Sequence, residues 1–149
     1  MTEEIRCTKV RLRAHIRKHP KLENMFNLIT SIIGVGEMTA SVIIGELGYL
    51  EGFTSIRQVE VHCGLAPKVH QSGTSVNKKG HLSKRANDHV RRALFMPALS
   101  AMRSNPLIIE FSMRLKESGK PGKLIVCAVM RKLLRWICSI VKSGKPFSC

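Results

Sequence analysis

The stretch IIGVGEMTASVIIGELG, Ile32 to Gly48, decides how this chain folds. Gly34 and Gly36 interrupt an apolar run, and Thr39, Ala40, Ile43, Ile44 and Leu47 then resume at helical spacing until Gly48. Apolar residues recurring every three to four positions form one face of a helix. The pattern predicts a helix, a tight glycine hairpin and a second helix. Two glycines so placed let the backbone turn sharply at the start of the second helix, where N–H groups without helical partners converge. A phosphate can be held there without any base being read. Ala40 is small where the two helices cross closely. The alternative is a glycine-rich helical turn that serves packing only. Glu37 stands at the anion position, the helix offers no nearby Lys or Arg, and residues 28–64 carry one base against four acids.

Upstream, EEIRCTKVRLRAHIRKH sets Ile5, Leu12 and Ile16 on roughly one helical face, acidic at its start and basic at its end, as the helix dipole favours. Its apolar content is low for its length. Residues 1–27 are therefore expected to be a linker helix, the stub of a longer one whose partner domain is missing. Pro20 suits a first helical turn, and Leu22, Met25, Phe26 and Ile29 point inward up to about Ser31.

Downstream, TSIRQVEVHCG predicts a short helix capped by Thr54 or Ser55 and stopped by Gly64. Residues 65–82 have no usable period, with extended pieces expected around Leu65–Val76. Helical spacing returns from about Ser83 through Val90, Leu94, Leu99 and Met102, with a kink expected at Pro97. Pro106 opens a helix through Ile109, Phe111 and Leu115 that Gly119 ends. The most hydrophobic helix runs from about Pro121 to Ser143, with Leu124, Cys127, Ala128, Arg131, Leu134 and Ile137 near one line. The fold class is all-α.

A chain of 149 residues buries one moderate core. Its net charge of +15 is unevenly spread: residues 65–149 hold seventeen bases against three acids. So basic a chain attracts polyanions, and nucleic acid is the expected partner. The five cysteines form no CxxC pair and read as buried free thiols of a reducing compartment. The longest apolar run, Leu124–Met130, is too short to cross a bilayer, so the expected place is the cytoplasm, associated with the nucleoid. Neither the six histidines nor the scattered acids form a compact ligand set, so no metal or other cofactor is expected in this chain.

The charge concentrates in GLAPKVHQSGTSVNKKGHLSKRANDHVRR, Gly64 to Arg92. Lys78, Lys79, Lys84, Arg85, Arg91 and Arg92 are expected to contact phosphates, with Asp88 the one acid among seven bases. Ser72 precedes Gly73, which leaves room for an incoming phosphate. A serine attacks phosphorus only if its proton is removed and the developing charge neutralised, and His70, Lys78 or Lys84 could serve. These residues alone do not separate a nucleophile from an ordinary loop serine.

Five blocks in order, IIGVGEMTASVIIGELG, GFTSIRQVEVHCGLAP, QSGTSVNKKGHLSKRANDHVRRALF, SNPLIIEF and SGKPGKLIVCAVMRKLLRWI, cover about four fifths of the chain. Together they resemble the C-terminal module of DEDD-type insertion-sequence transposases, a group that includes the pilin-gene invertases. The resemblance implies that residues 28–149 are a helix-hairpin-helix plus transposase module acting on DNA. It implies that Ser72, in the Ser-Gly pair, attacks DNA to give a phosphoserine link, with Gly73, Lys84, Arg91 and Arg92 at neighbouring positions. A complete enzyme of this kind has an RNase-H-like domain with four acidic ligands for a divalent metal (Mg), works as a homo-oligomer, and in several cases uses a structured guide RNA. That acidic domain has no counterpart here, so the chain is expected to be a fragment that binds nucleic acid but does not complete transposition. The alternative is a non-catalytic nucleic-acid-binding remnant or adaptor. Two positions depart from the family pattern: Ala86 stands where Lys-Arg-Gly-Asn is usual, and Pro97 lies inside a helix.

Overall fold

The computed structural model describes residues 2–66 and 87–148. Among them are seven helices and no strand: α1 (Thr2–Arg17), α2 (Pro20–Thr30), α3 (Glu37–Leu47), α4 (Ile56–His62), α5 (Asp88–Ser104), α6 (Pro106–Glu117) and α7 (Gly122–Ser143). The all-α expectation holds for these residues. Local chemistry sets the boundaries. Pro20 and Pro106 occupy first helical turns, where their missing N–H costs nothing. Ser55 caps α4 by accepting from the Gln58 N–H at 3.3 Å. Gly144, at φ +67°, closes α7 in the left-handed conformation that a residue without Cβ adopts freely.

The axis of the core is α7, which packs against α5, α2, α6 and α4, while α3 fills the space between α2 and α5. The buried side of α7 is Ile125, Val129, Met130, Leu133, Leu134, Ile137, Cys138 and Ile140. This corrects the expected line: Leu134 and Ile137 are on it, but Leu124 is 48% exposed and Cys127 only half-buried. The helix has more apolar residues than one face holds, so its neighbours choose which of them are covered.

Of the face expected on α1, Ile16 is buried, Leu12 half-buried and Ile5 50% exposed. This helix packs on α2. The 27/28 division falls inside α2, whose Met25, Phe26, Leu28 and Ile29 all enter one core. Pro97 is buried inside α5, and the helix continues through it. Proline supplies no N–H, so the carbonyl of Ala93 loses its helical donor. The Thr39 hydroxyl of α3 donates to that carbonyl at 3.4 Å. A neighbouring helix thus satisfies the group that Pro97 strands.

The cysteine expectation holds in part. Cys63 and Cys138 are buried, Cys127 is half-buried and Cys7 is exposed. Burial pushes the Cys63 thiol up to about 12 and the Cys138 thiol up to about 11. Among the described residues no helix is long and apolar enough to cross a membrane.

Candidate nucleic-acid interface

Two places in this fold matter for the site: the turn between α2 and α3, and the anchorage from which the basic stretch departs and to which it returns.

The first is the predicted glycine hairpin. The chain leaves α2, and the Val35 N–H donates back to the Ile32 carbonyl at 3.0 Å. Gly34 sits at φ +101°, and a Cβ there would stand 2.8 Å from the Ala101 Cβ and 2.9 Å from its backbone. Its lack of a side chain therefore serves close packing on α5. Asn105, fully buried between α5 and α6, fixes the same turn: its Nδ2 donates to the Ile33 carbonyl at 3.2 Å, and its Oδ1 accepts from the Leu107 N–H. Gly36 differs. It is the exposed N-cap of α3 at an ordinary φ of −93°, has open space where a Cβ would stand, and no side chain caps the N–H groups behind it.

The electrostatics of this turn need correcting. No base lies near Glu37 within its own segment, but α1 brings one: Arg13 Nη1 is 2.8 Å from Glu37 Oε1. Lys9, Leu12, Arg13, Gly36, Glu37 and Thr39 share one depression there. The acid at the anion position is thus countered across the fold.

The second place is the C-terminal end of α4. Gly64, at φ +67°, reverses the chain; its N–H donates to the Val61 carbonyl, and the Leu65 N–H reaches back to the Glu60 carbonyl at 2.8 Å. This double closure gives the last carbonyls of the helix their donors. The Glu60 carboxylate is almost completely buried, and Arg135 of α7 grips it with Nε on Oε1 and Nη2 on Oε2 (3.3 Å for the latter). The bond to Glu60 raises the Arg135 pKa further, so the guanidinium stays charged. One turn earlier on α7, Arg131 Nε donates to the Leu65 carbonyl at 3.1 Å.

The chain returns at Asn87. Its N–H donates to the His62 carbonyl at 2.9 Å, its Nδ2 donates to the Glu46 carboxylate of α3, and its Oδ1 caps α5 by accepting from the His89 N–H. Ala66, whose N–H donates to the Glu60 carbonyl, and Asn87 are therefore both tied to the end of α4. Arg91 and Arg92 follow in the first turns of α5. Arg91 is half-buried, and exposed Arg92 pairs with Asp88 at 2.7 Å. Ser72, Gly73, Lys78, Lys79, Lys84, Arg85 and Ala86 lie outside the described residues.

The profile of the Transposase IS116/IS110/IS902 family matches residues 26–112, more than half of the chain. The chain belongs to this family. The match begins within α2, takes in the α2–α3 turn and the end of α4, and stops in α6, short of Arg131 and Arg135 on α7. The chain is also 33% identical over 129 residues to the pilin gene-inverting protein of Moraxella bovis, covering 86% of this chain and 40% of that protein. It is 25% identical over 142 residues to the insertion element IS110 uncharacterized 43.6 kDa protein of Streptomyces coelicolor, covering 95% and 34%. The transposase for insertion sequence element IS1328 of Yersinia enterocolitica is 26% identical over 140 residues, covering 89% of this chain and 40% of that protein. The chain thus spans about 40% of the length of the curated relatives it matches first.

Sequence reading missed the residues that tie down the end of α4 and the flanks of this family member's basic stretch: Glu60, Asn87, Arg131 and Arg135. Two left a usable signal. Glu60 is an acid inside the apolar alternation of VEVH, and Asn87 directly precedes Asp88 at a helix start, where Asn caps well. Arg131 and Arg135 look like any other bases of a cationic helix.

Proposed function

We propose that the chain is the DNA-acting module of a transposase or site-specific recombinase, binding element DNA and presenting Ser72 for strand cleavage and rejoining. The observation that carries this reading is the double anchorage of the basic stretch. Its flanks, Ala66 and Asn87, are tied to one helix end, and that end is clamped to α7 through a buried carboxylate. A loop bearing a reactive hydroxyl works only if it is aimed from a rigid base. Membership of a transposase family and likeness to an inverting protein support the same reading.

In the proposed step the Ser72 Oγ attacks a backbone phosphorus. A serine–phosphate ester forms, the bond from phosphorus to one sugar oxygen breaks, the serine proton passes to a base and the departing sugar oxygen takes up a proton. No net bond energy is lost to water, so the reverse attack rejoins the strand. Lys78, Lys79, Lys84 and Arg85 are proposed to neutralise the phosphate, with Arg91 and Arg92 at the edge and the N–H groups behind Gly36, in the turn that Gly34 packs against α5, as a second phosphate contact. Among the described residues no three His, Cys, Asp or Glu side chains come together as a metal site. The described residues therefore do not fit a divalent metal. We propose instead that Mg reaches the reaction with an RNase-H-like acidic domain, that the working enzyme is a homo-oligomer, and that a structured guide RNA is a candidate partner. Alone, the chain binds nucleic acid without completing transposition.

The test is to supply the acidic domain in trans, offer element-end DNA, and trap covalent protein–DNA species. The parent chain should trap DNA and Ser72→Ala should not. Equal trapping by both, or none by either despite DNA binding, would sink the nucleophile assignment.

A further inference from the structure

Between Arg103 and Lys145 the chain carries ten bases and two acids, all of them away from the stretch around Ser72 in sequence. Arg131 and Arg135 are committed to the α4 end. At the α6–α7 contact two further cations converge on one ring. The Lys132 ammonium lies 4.1 Å from the centre of Phe111 and 5.5 Å from that of Trp136, while the Arg114 guanidinium carbon is 5.9 Å from the same Phe111 centre. Phe147 packs against Trp136 at 4.7 Å. Ion pairs among the described residues join Arg13 to Glu37, Lys21 to Glu51, Arg92 to Asp88 and Arg135 to Glu60; none includes Arg114 or Lys132. Partial burial and the nearby Arg114 lower the Lys132 pKa, against the weaker pull of Glu110.

Two like charges against one ring, with no ion pair to either among the described residues, repel each other and favour a nearby anion. The aromatic rings narrow the choice of anion. Lys132 and Arg114 cover Phe111, and Lys132 and Phe147 occupy Trp136, so these rings serve the cations and do not form a stacking platform for bases. At this contact Arg114 is exposed and Lys132 half-buried.

We infer that Arg114 and Lys132, braced by Phe111 and Trp136, form a further contact for the phosphodiester backbone of a nucleic acid, separate from the stretch around Ser72 and from the glycine turn, and indifferent to base sequence. This rests on the nucleic-acid reading above and adds a contact that the basic stretch does not contain. Lys116, Lys120 and Lys123, exposed around the short α6–α7 connection, add to the charge of this part of the chain.

The experiment measures binding of the whole chain to duplex DNA, duplex RNA, single-stranded DNA and phosphatidylserine vesicles over a range of salt. Each phosphate that the protein no longer neutralises flattens the slope of log affinity against log salt by about one. Arg114→Gln combined with Lys132→Met, where methionine keeps the apolar stem on Phe111, should flatten that slope by about one to two and weaken binding roughly tenfold at moderate salt. Lys132→Arg, which keeps the charge, should restore most of it, and unchanged thermal midpoints would show that all variants fold. Loss on both duplexes assigns the contact to any phosphodiester backbone; loss on one alone assigns it to that polymer. Parent-like slopes in the double variant, while Lys78→Gln with Lys79→Gln flattens them, would overturn this inference and leave the proposed function standing. A parent chain that binds no nucleic acid would overturn both. An effect confined to phosphatidylserine vesicles would also overturn it, because the partner would then be a lipid surface.

Discussion

The turn between α2 and α3 and the end of α4 are both marked by glycines beside a helix, yet the fold uses them in opposite ways. At the turn, a Cβ on Gly34 would stand 2.8–2.9 Å from Ala101, and the neighbouring charge is countered at the surface by Arg13–Glu37. At the end of α4, Gly64 only reverses the chain, and the place is held by a charge pair whose acid is buried. One site is secured by shape and the other by electrostatics. A glycine therefore marks where the backbone must bend or approach closely, and does not by itself mark where a ligand sits. Of the two glycines in the turn, Gly36 is the one with open space, so it is the one that a phosphate could approach.

The sharpest way to break the comparison is Gly34→Ala. A methyl there meets backbone, and the residue must hold a positive φ, so the change should cost about 2–5 kcal/mol. Gly36→Ala, in open space two residues on, should cost under about 0.5 kcal/mol. Chemical denaturation of the two variants decides it; similar losses would show that the close approach to Ala101 does not hold the turn.

At the other end, Arg135→Ala leaves the Glu60 carboxylate buried without its partner. We expect a loss of about 2–3 kcal/mol, near the low end for buried pairs because water still reaches Arg135. Glu60→Gln should cost less, since an uncharged amide tolerates burial better and the arginine it releases can be solvated. If the order were reversed, the buried acid would not be the centre of the clamp. The same pair of variants should impair covalent trapping of DNA more than Gly36→Ala does, if anchorage is what aims Ser72.

A smaller effect than the loss of either anchor is a pH dependence at the α4 end. Cys63 titrates near 12 when folded, against about 8.5 in an unfolded chain. A thiol with a raised folded value favours the native state fully at low pH. That contribution is lost as pH climbs from the unfolded value towards the folded one, because the unfolded chain releases its proton first. Stability should therefore fall above about pH 8.5, by about 1–2 kcal/mol for this thiol at pH 10. Cys63→Ala should flatten that decline in a pH series of melting curves; an unchanged decline would assign it to other groups.

Much of the architecture is legible without the structure. Helical spacing, Pro20 and Pro106 at first turns, and Gly64 and Gly119 after last turns place the helices, because each of these signals acts over a few residues. The start of α5 is less legible: no capping box marks it, and Asn87 caps it alone. The buried face of α7 is easily misplaced because apolar residues surround most of that helix. The candidate site is legible only as a basic stretch with a serine, and resemblance alone singles that serine out. Pro97 reads as a defect until Thr39, 54 residues away from Ala93, is found at the stranded carbonyl.

The sequence by itself determined the helices, the uneven charge and the family, because periodicity, caps and motif order are written over short stretches of chain. Only the tertiary structure decided that Gly34 belongs to packing, that Arg13 answers Glu37, and that Arg135 holds Glu60 across a separation of 75 residues. The reason is physical. A close approach or a buried charge pair depends on where two distant segments cross, and no local pattern records which of many similar bases arrives there.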